Sequence, residues 1–260
     1  MFKSLILAAG LAYANAFPSM DVTIDGQPDK LYITEDWFTL DVEGASVKLG
    51  MNMRAYLTRA ADMGQLDTMG YYTPNLLGGS LEWDNDISAA QCGCVDTFYL
   101  VGMPATNWDG SKAADKFHYC DANQVGGFYC PEFDMMESNL YSWRSTIHKC
   151  NQPNDQGHYD WCDAGGSCAI DFQQQEEGAY GQGAWKIDTT RPFHSKINFA
   201  AGAGDRLDSF TVELTQEGRT YTIGSCGDDT IGKDLKGGMA FVLSTWGSSD
   251  GIDWLQHGKC

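Results

Sequence analysis

The sequence lacks several features that would each point to a particular class of protein. It has no Asn-x-Ser/Thr sequon, so N-linked glycans are not expected. It has no paired Cys-x2-Cys sets, which argues against a structural zinc site. It also has no Ser/Thr/Pro-rich stalk, no second cysteine-dense module and no internal repeat, so a tethered binding module is disfavoured. The apolar run near the start of the sequence is too short to span a bilayer, and no later run reaches that length.

Basic residues are scarce. The chain has 17 Lys plus Arg against 35 Asp plus Glu, and its formal net charge is −18. A charge of this sign and size argues against nucleic acid or an anionic membrane as a partner. A neutral polymer would not be repelled, so the composition is compatible with a protein that acts on uncharged sugar.

The first sixteen residues have the layout of a secretory signal. Lys3 precedes an apolar run from Leu5 to Tyr13, and Ala14-Asn15-Ala16 forms a small-residue cleavage site. We therefore expect residues 1–16 to be a signal peptide and residues 17–260 to form a single domain. The predicted protein is secreted, extracellular and monomeric.

All nine cysteines follow the predicted signal. Their number suits an oxidising compartment and suggests four disulfides with one thiol left over.

Short strand patterns dominate the chain and predict an all-β fold. Residues 210–215 and 219–223 alternate apolar and polar side chains around Gln216-Glu217-Gly218, as in a hairpin. Many such strands separated by turns containing some of the 30 Gly predict two packed antiparallel sheets, a jelly-roll sandwich with a concave face. The other predicted strands are residues 47–57, 79–83, 97–101, 185–188, 196–199 and 239–246.

Three acids lie close together at the centre of the chain, at Glu132, Asp134 and Glu137. On a helix they would point about 200° and about 140° apart and would not share a face. On a strand Glu132 and Asp134 share a face, and one extra residue in a β-bulge before Glu137 would bring the third acid to it. The pattern therefore favours a bulged strand with three carboxylates on one side.

Carboxylates that are crowded together repel each other, so such a group usually has a function or a shared cation. Hydrolysis of a glycosidic bond requires one carboxylate as nucleophile and a second, protonated carboxyl as general acid. A third acid between them can orient the nucleophile and raise the pKa of the acid. An acidic strand facing solvent and a calcium site are the alternatives that the motif leaves open.

Further motifs resemble those of glycoside hydrolase family 7, the group of cellobiohydrolase I and endoglucanase I. Its acids lie in a Glu-x-Asp-x-x-Glu strand, with a cysteine two residues before and a His-x-Cys after, as Cys130, His148 and Cys150 stand here. The resemblance extends from about Arg54 to Cys260 through an ordered series of anchors. These include residues 76–79, 99–101, 119–121, 180–183, 187–190, 237–239 and 244–246.

This resemblance implies a concanavalin-like jelly roll and a role for each acid. Glu132 would be the nucleophile, Asp134 its hydrogen-bonding partner and Glu137 the general acid/base, with His148 beside the acid/base. The implied double displacement retains the anomeric configuration and requires no metal or cofactor. The positions that match the substrate cleft of the family are Arg54, Tyr99, Tyr119, Asp121, Trp246 and Trp254.

The resemblance also implies how the cysteines pair. The implied disulfides are Cys92 with Cys260, Cys120 with Cys130, Cys150 with Cys162 and Cys168 with Cys226. Cys94 would remain unpaired.

Several departures from the family pattern bear on function. The cysteine-rich N-terminal region is missing, the stretch between Cys120 and Cys130 is short, and Met136 replaces a tryptophan before the acid/base. The loops that roof a tunnel in processive members have no counterpart, which favours an open cleft. We therefore expect an endo-β-1,4-glucanase that acts on cellulose or a related β-glucan.

Two alternatives remain open at the level of sequence. Glycoside hydrolase family 16 uses a related sandwich and acid strand on β-1,3(4)-glucans, but it does not explain the spacing of His148 and Cys150 or the segment Ser244-Thr245-Trp246. The second is a non-catalytic, lectin-like sandwich whose acids bind calcium.

Overall fold

The computed structural model describes residues 16–35, 40–113, 115–247 and 252–256. Almost all of the predicted signal peptide, residues 1–15, lies outside this range, and so does Cys260. Four short helices occur, α1 (Met63–Met69), α2 (Phe172–Gln175), α3 (Asp229–Gly237) and α4 (Asp253–Gln256). None of these helices has the length and apolar character needed to span a bilayer.

Strands account for most of the regular structure. In chain order they are β1 (Ser19–Ile24), β2 (Gln27–Glu35), β3 (Asp41–Glu43), β4 (Ser46–Lys48), β5 (Met53–Thr58), β6 (Ser80–Asn85), β7 (Cys94–Val101), β8 (Glu132–Ser138), β9 (Trp143–His148), β10 (Ser167–Asp171), β11 (Tyr180–Gly181), β12 (Ile187–Asp188), β13 (Phe193–Ala201), β14 (Leu207–Gln216), β15 (Arg219–Cys226) and β16 (Ala240–Gly247).

The longer strands form two antiparallel sheets. The large sheet has eight strands in the order β1-β2-β5-β16-β7-β8-β9-β10, and the small sheet has four in the order β15-β14-β13-β6. Short pairs join β3 to β4 and β11 to β12. This architecture confirms the predicted all-β, two-sheet jelly-roll sandwich.

The core lies between the two sheets because their strands alternate inward and outward side chains. In β13, Phe193, Ile197 and Phe199 are buried on the inner face. Phe133 of the large sheet packs edge to face on Phe199 and Phe210 of the small sheet, with ring centroids 5.4 and 4.9 Å apart. Such edge-to-face contacts add to the free energy gained by burying the rings.

A second apolar cluster covers part of the outer face of the large sheet. Tyr56, Tyr99 and Val242 project outward and pack against Phe117 and Tyr119, which belong to the connection between β7 and β8. This connection covers part of the outer face, and Tyr119 and Asp121 within it also line the cleft on that face.

The hairpin of β14 and β15 forms as predicted. Its two-residue turn, Glu217-Gly218, has φ values of 50° and 78°, as a type I′ turn requires. The prediction of one strand over residues 47–57 was wrong, because a turn at residues 49–52 separates β4 from β5 and Asn52 adopts φ 59°. The N-terminal hairpin and the helices were not predicted.

Candidate active site

The acid strand β8 contains the predicted bulge. Asp134 pairs with Thr146 and Glu137 pairs with Arg144 on β9, so that Met135 and Met136 together lie opposite the single residue Ser145. The register against β7 shifts at the same place. The Ser145 hydroxyl donates a hydrogen bond of 2.6 Å to the Met135 carbonyl, which the extra residue displaces from the regular ladder.

The bulge decides which side chains of β8 reach the cleft. Phe133, Met135 and Met136 are all buried in the core between the sheets. Glu132, Asp134 and Glu137 therefore project from the opposite face, where all three line the cleft. Without the extra residue, strict alternation would turn Glu137 into the apolar core.

The facing strand β9 gives each acid a polar partner across the ladder. His148 pairs with Glu132, Thr146 with Asp134 and Arg144 with Glu137. Thr146 and Arg144 were not predicted from the sequence, although alternation back from His148 places residues 146 and 144 on the same face. His148 was expected beside Glu137, but it pairs with Glu132, and Arg144 is the ladder partner of Glu137.

His148 is fixed by two hydrogen bonds. Its Nε2 lies 3.0 Å from Asp134 Oδ2, and its Nδ1 donates to the Asp163 carbonyl at 2.8 Å. Burial alone would lower the pKa of His148, but the hydrogen bond to Asp134 and the charges of Asp134 and Glu132 raise that pKa to about 10. The imidazole is therefore an imidazolium at neutral pH.

The loop that carries Asp163 packs tightly on β9, and this contact requires a glycine. Gly166 has φ +71°, and a Cβ atom there would lie 2.3 Å from Thr146 Cγ2 and 2.8 Å from His148 Cε1. A larger residue would push the loop away and remove the acceptor of the His148 Nδ1 proton.

Glu132 is buried and accepts a hydrogen bond from the backbone. The Ala122 N–H donates to its Oε2 at 3.0 Å. Burial raises the pKa of Glu132 well above its usual range, and the charges of Asp134 and Asp121 add to the rise. The cation of His148 and the Ala122 N–H act in the opposite direction and favour the ionised form.

Glu137 differs from Glu132 in its hydrogen bonding. It accepts no hydrogen bond from any group in the described part of the chain, and burial raises its pKa well above the usual range. The charge of Asp134 adds to this rise, whereas His148 and Arg144 oppose it. The two glutamates thus differ in what favours their ionised forms: a backbone N–H and His148 act on Glu132, whereas His148 and Arg144 act on Glu137.

The cleft has a volume of about 830 Å³. The structure brings together the acids, His148 and every residue that the sequence predicted to contact substrate. Those residues are Arg54, Tyr99, Tyr119, Asp121, Trp246 and Trp254.

Four of these residues form a network at one end of the cleft. The Arg54 guanidinium lies 3.6 Å from the centroid of the Tyr119 ring, and the Tyr99 and Tyr119 hydroxyls are 3.0 Å apart. Asp121 accepts from the N–H groups of Asn123 and Val125 at 3.0 and 2.9 Å. The network presents rigid aromatic and polar edges to a ligand.

The two tryptophans of the cleft differ in packing and exposure. Trp246 on β16 is partly buried against Ile252 and Leu255. Trp254 on α4 is 38% exposed. Both line the cleft and offer the apolar ring face on which a sugar ring can stack.

Three of the implied disulfides are present, Cys120–Cys130, Cys150–Cys162 and Cys168–Cys226. The partner implied for Cys92 is Cys260, which lies outside the described residues. Cys94 is a free thiol. Within the described ranges, no group of three or more His, Cys, Asp or Glu has an arrangement that would hold a metal ion.

Fold and site together define an antiparallel β-sandwich with a carboxylate-lined cleft. Solved structures share this fold at low sequence identity. A glycosynthase mutant of Humicola insolens Cel7B aligns with a TM-score of 0.75 at 18% identity, over 95% of this chain and 89% of that chain. A cellobiohydrolase of the GH7 family from Daphnia pulex aligns with a TM-score of 0.70 at 18% identity, over 93% of this chain and 85% of that chain.

Sequence relatives point to the same group. Endoglucanase EG-1 of Hypocrea jecorina is 29% identical over 231 residues, which cover 75% of this chain and 49% of that protein. Endoglucanase EG-1 of Trichoderma longibrachiatum is 28% identical over 225 residues, which cover 73% and 47%. The chain thus spans about half the length of the curated relatives it matches. No family model matches it. Together the findings confirm the predicted resemblance of this chain to glycoside hydrolase family 7.

Proposed function

We propose that this protein is a secreted, retaining endo-β-1,4-glucanase that hydrolyses cellulose or a related β-glucan by double displacement. The observation that carries the proposal is the bulge in β8, which directs Glu132, Asp134 and Glu137 into one cleft. The names of the curated relatives support the reaction class. They do not favour a β-1,3(4)-glucanase of family 16 or a sugar-binding protein without activity.

Glu132 is the proposed nucleophile. A nucleophilic carboxylate must be ionised, and the Ala122 N–H and the His148 cation both stabilise its negative charge. Glu132 attacks the anomeric carbon and forms a covalent glycosyl–enzyme, while the bond to the leaving oxygen breaks.

Glu137 is the proposed general acid and base. Burial and the nearby charge of Asp134 favour its protonated form, so that it can give a proton to the departing oxygen. As a carboxylate, it then takes a proton from the water that attacks the glycosyl–enzyme. This step frees the sugar and returns Glu137 to its protonated form.

Asp134 and His148 are proposed to orient the reacting groups. The ion pair with His148 holds the Asp134 carboxylate between the two glutamates. Asp134 thereby keeps its negative charge close to Glu137, which promotes retention of the proton there.

The preference for internal bonds is inferred from the cleft. The connections that roof a tunnel in processive relatives are missing from the sequence, and Trp254 at the cleft is 38% exposed. A chain segment can therefore enter from the side and dissociate after one cleavage. We propose that Trp246 and Trp254 stack on sugar rings and that Arg54, Tyr99, Tyr119 and Asp121 contact sugar hydroxyls.

Product analysis on several β-glucans tests the reaction. The purified protein should release reducing ends from carboxymethylcellulose faster than from laminarin, and proton NMR should show the β-anomer first. Viscosity should fall early relative to the release of reducing ends if cleavage is internal. Exclusive cleavage of β-1,3 bonds, or an α-anomer as the first product, would contradict the proposal.

Two carboxyl variants test the roles of the acids. Glu132→Gln and Glu137→Gln should each lower turnover by about a hundred- to ten-thousand-fold while leaving polysaccharide binding intact. Glu177→Gln makes the same chemical change at an exposed position and should leave turnover unchanged. Sugar binding that vanishes with a chelator, with no reducing ends at any time, would favour a calcium-dependent lectin instead.

The proposal includes secretion, cleavage after Ala16 and a monomeric single domain over residues 17–260. Three disulfides suit an extracellular location. The Phe17 N–H donates to the Ala61 carbonyl at 2.7 Å, so the first residue of the proposed mature chain is tied to the fold. N-terminal sequencing of the secreted product and light scattering of the purified protein test these points.

A further inference from the structure

Arg144 lies beside Glu137, and its positive charge has no role in the reaction described above. Arg144 is the ladder partner of Glu137 across β8 and β9, and its side chain lines the cleft. Side chains that face each other across an antiparallel ladder have Cβ atoms about 4.5 to 5.5 Å apart. Arg144 is therefore the cationic residue directly opposite Glu137 on the adjoining strand, while His148 of the same strand has the larger effect on the Glu137 carboxyl.

The Arg144 guanidinium is held in one place. Its Nη1 donates to both carboxylate oxygens of Asp171, at 3.1 and 2.9 Å, and its Nε donates to Thr146 Oγ1 at 3.1 Å. The Arg144 side chain is 23% exposed and that of Asp171 is 14% exposed. Since both partners are largely shielded from water, their charges act strongly on their surroundings.

Several other charged residues lie near Glu137. Asp134 lies on the same strand, His148 lies on β9 with Arg144, and Asp171 ends β10. On the other side, the ladder partner of Glu137 on β7 is the uncharged Thr97, which hydrogen-bonds to Ser244 of β16. Asp134, His148, Arg144 and Asp171 all act on the Glu137 carboxyl, and Glu132 lines the same cleft.

We propose that Arg144, clamped by Asp171, is a positioning residue that tunes the Glu137 carboxyl for proton transfer. The inference rests on the proposed function, in which Glu137 is the acid and base. Partial burial and the charge of Asp134 both favour retention of the proton by Glu137. Arg144 opposes this effect, and Asp171 limits how far it does so.

This arrangement predicts that removing the charge of Arg144 and removing that of Asp171 shift the pKa of Glu137 in opposite directions. Loss of the Arg144 charge raises the pKa of Glu137, whereas loss of the Asp171 charge lowers it, because the cation of Arg144 is then less compensated. An ion pair with a purely structural role would show no such opposition, since removing either partner would only destabilise the fold.

The experiment compares Arg144→Gln, Asp171→Asn and the double variant. The measurement is the pH dependence of kcat/KM with cellotetraose, an uncharged substrate. Its decline at high pH, the alkaline limb, reports the loss of the proton from Glu137. We expect the midpoint of this limb to shift to higher pH by about 0.5 to 1 unit in Arg144→Gln and to lower pH by a similar amount in Asp171→Asn. The double variant should fall between the two, and Arg144→Lys, which keeps the charge, should remain near the wild type.

Matched controls come from an ion pair on the small sheet. Lys196 Nζ lies 2.6 Å from Glu82 Oε1. Lys196→Gln and Glu82→Gln make the same changes in net charge away from the cleft, and neither should move the limb.

The test separates this inference from the proposed function. Carbon-13 NMR of labelled glutamate measures the pKa of Glu137 directly, with Glu137→Gln assigning the signal, and it needs no turnover. If wild-type protein hydrolyses cellotetraose but Arg144→Gln and Asp171→Asn shift the pKa in the same direction or not at all, the inference is overturned and the proposed function stands. If no hydrolysis occurs, the proposed function fails, and opposite shifts in the NMR titration would still support Arg144 as the residue that tunes Glu137.

Discussion

His148 and Asp134 form an ion pair at 3.0 Å on the floor of the cleft. The second ring nitrogen of His148 donates to the Asp163 carbonyl, so both nitrogens act as donors. Only the imidazolium has two N–H groups. One positive charge is thereby fixed among Glu132, Asp134 and Glu137, and it reduces the repulsion that three carboxylates on one sheet face would otherwise produce.

The first prediction concerns the pH dependence of stability. The pKa of His148 in the folded protein is raised to about 10, against about 6.5 in an unfolded chain. Stabilisation from this ion pair is therefore complete below about pH 6.5 and is lost as the pH rises through about 10. We expect the thermal midpoint of the wild type to fall over that window, and Asp134→Asn to lose this dependence.

The control for this prediction is an exposed histidine–carboxylate pair. His194 Nδ1 lies 2.9 Å from Asp84 on the small sheet, where the Asp84 side chain is 84% exposed. Asp84→Asn should keep the fall of the midpoint between about pH 6.5 and 10. A wild-type midpoint that stays constant across this window would refute the assignment of a raised pKa to His148.

The second prediction concerns the support of the bulge. Ser145 donates to the Met135 carbonyl and is fully buried. Ser145→Ala removes this hydrogen bond and also the acceptor of the buried Trp143 indole N–H, which donates to Ser145 Oγ at 3.0 Å, so we expect the free energy of unfolding to fall by about 1 to 3 kcal/mol. Turnover should fall as well, because the bulge aims Glu137. Urea unfolding and initial rates measure the two effects.

A second buried serine provides the comparison. Ser142 lies three residues before Ser145 and is also fully buried, but its hydroxyl has no hydrogen-bond partner among the residues that the structure describes. Ser142→Ala removes an unsatisfied group and should leave stability unchanged or slightly higher. Equal losses in the two variants would show that the hydrogen bond to Met135 is not what supports the bulge.

The bulge itself was predictable from the sequence, but the residues around it were only partly so. Glu132, Asp134 and Glu137, at offsets of two and five residues, can share one face of a strand only if an extra residue intervenes. The register of β8 against β9 confirms that extra residue. Thr146 and Arg144 could have been found by the same alternation from His148. They were missed because a hydroxyl and an arginine in a strand carry no local signal of function.

Other parts of the site depend on pairing between distant segments. Arg54 and Tyr99 meet Glu132 in the cleft because β5, β16, β7 and β8 are neighbours in the large sheet. No local pattern in residues 53–58 encodes that order, so resemblance alone placed these residues together. The short helices α1 and α3 were missed for a related reason, since α1 has one buried residue and α3 has three, too few to give a clear helical pattern.

The third prediction separates two disulfides by their effects. Cys120–Cys130 closes the segment that carries the Ala122 N–H, which donates to Glu132. Cys120→Ser/Cys130→Ser should weaken this hydrogen bond and raise the pKa of Glu132. The acidic limb of kcat/KM should then move to higher pH, because the nucleophile must be ionised.

The comparison is Cys168→Ser/Cys226→Ser. This bridge links β10 to β15 over 58 residues, against 10 for Cys120–Cys130. In the chain-entropy model the longer loop stabilises the protein by about 1.5 kcal/mol more. We expect the larger loss of stability here with an unchanged acidic limb. A shift of the limb in this variant, and none in Cys120→Ser/Cys130→Ser, would show that Ala122 does not control Glu132.

The fourth prediction tests the two tryptophans of the cleft. Trp254 is more exposed than Trp246, which packs on Ile252 and Leu255. Trp254→Ala should weaken binding of cello-oligosaccharides by about 1 to 2 kcal/mol, about five- to thirtyfold in Kd, with little change in thermal midpoint. Trp246→Ala should weaken binding too, but it should also lower the midpoint because packing is lost.

Trp185 serves as the control for both variants. It is 54% exposed, and the Lys186 Nζ lies 4.8 Å from the centroid of its ring. It is not among the residues that line the cleft. Trp185→Ala removes an exposed ring of the same kind, so binding measured by calorimetry should remain at the wild-type level. If all three variants weaken binding equally, sugar is held by exposed aromatic surface in general. A selective loss at Trp246 and Trp254 instead identifies the carboxylate-lined cleft as the place where the sugar chain lies.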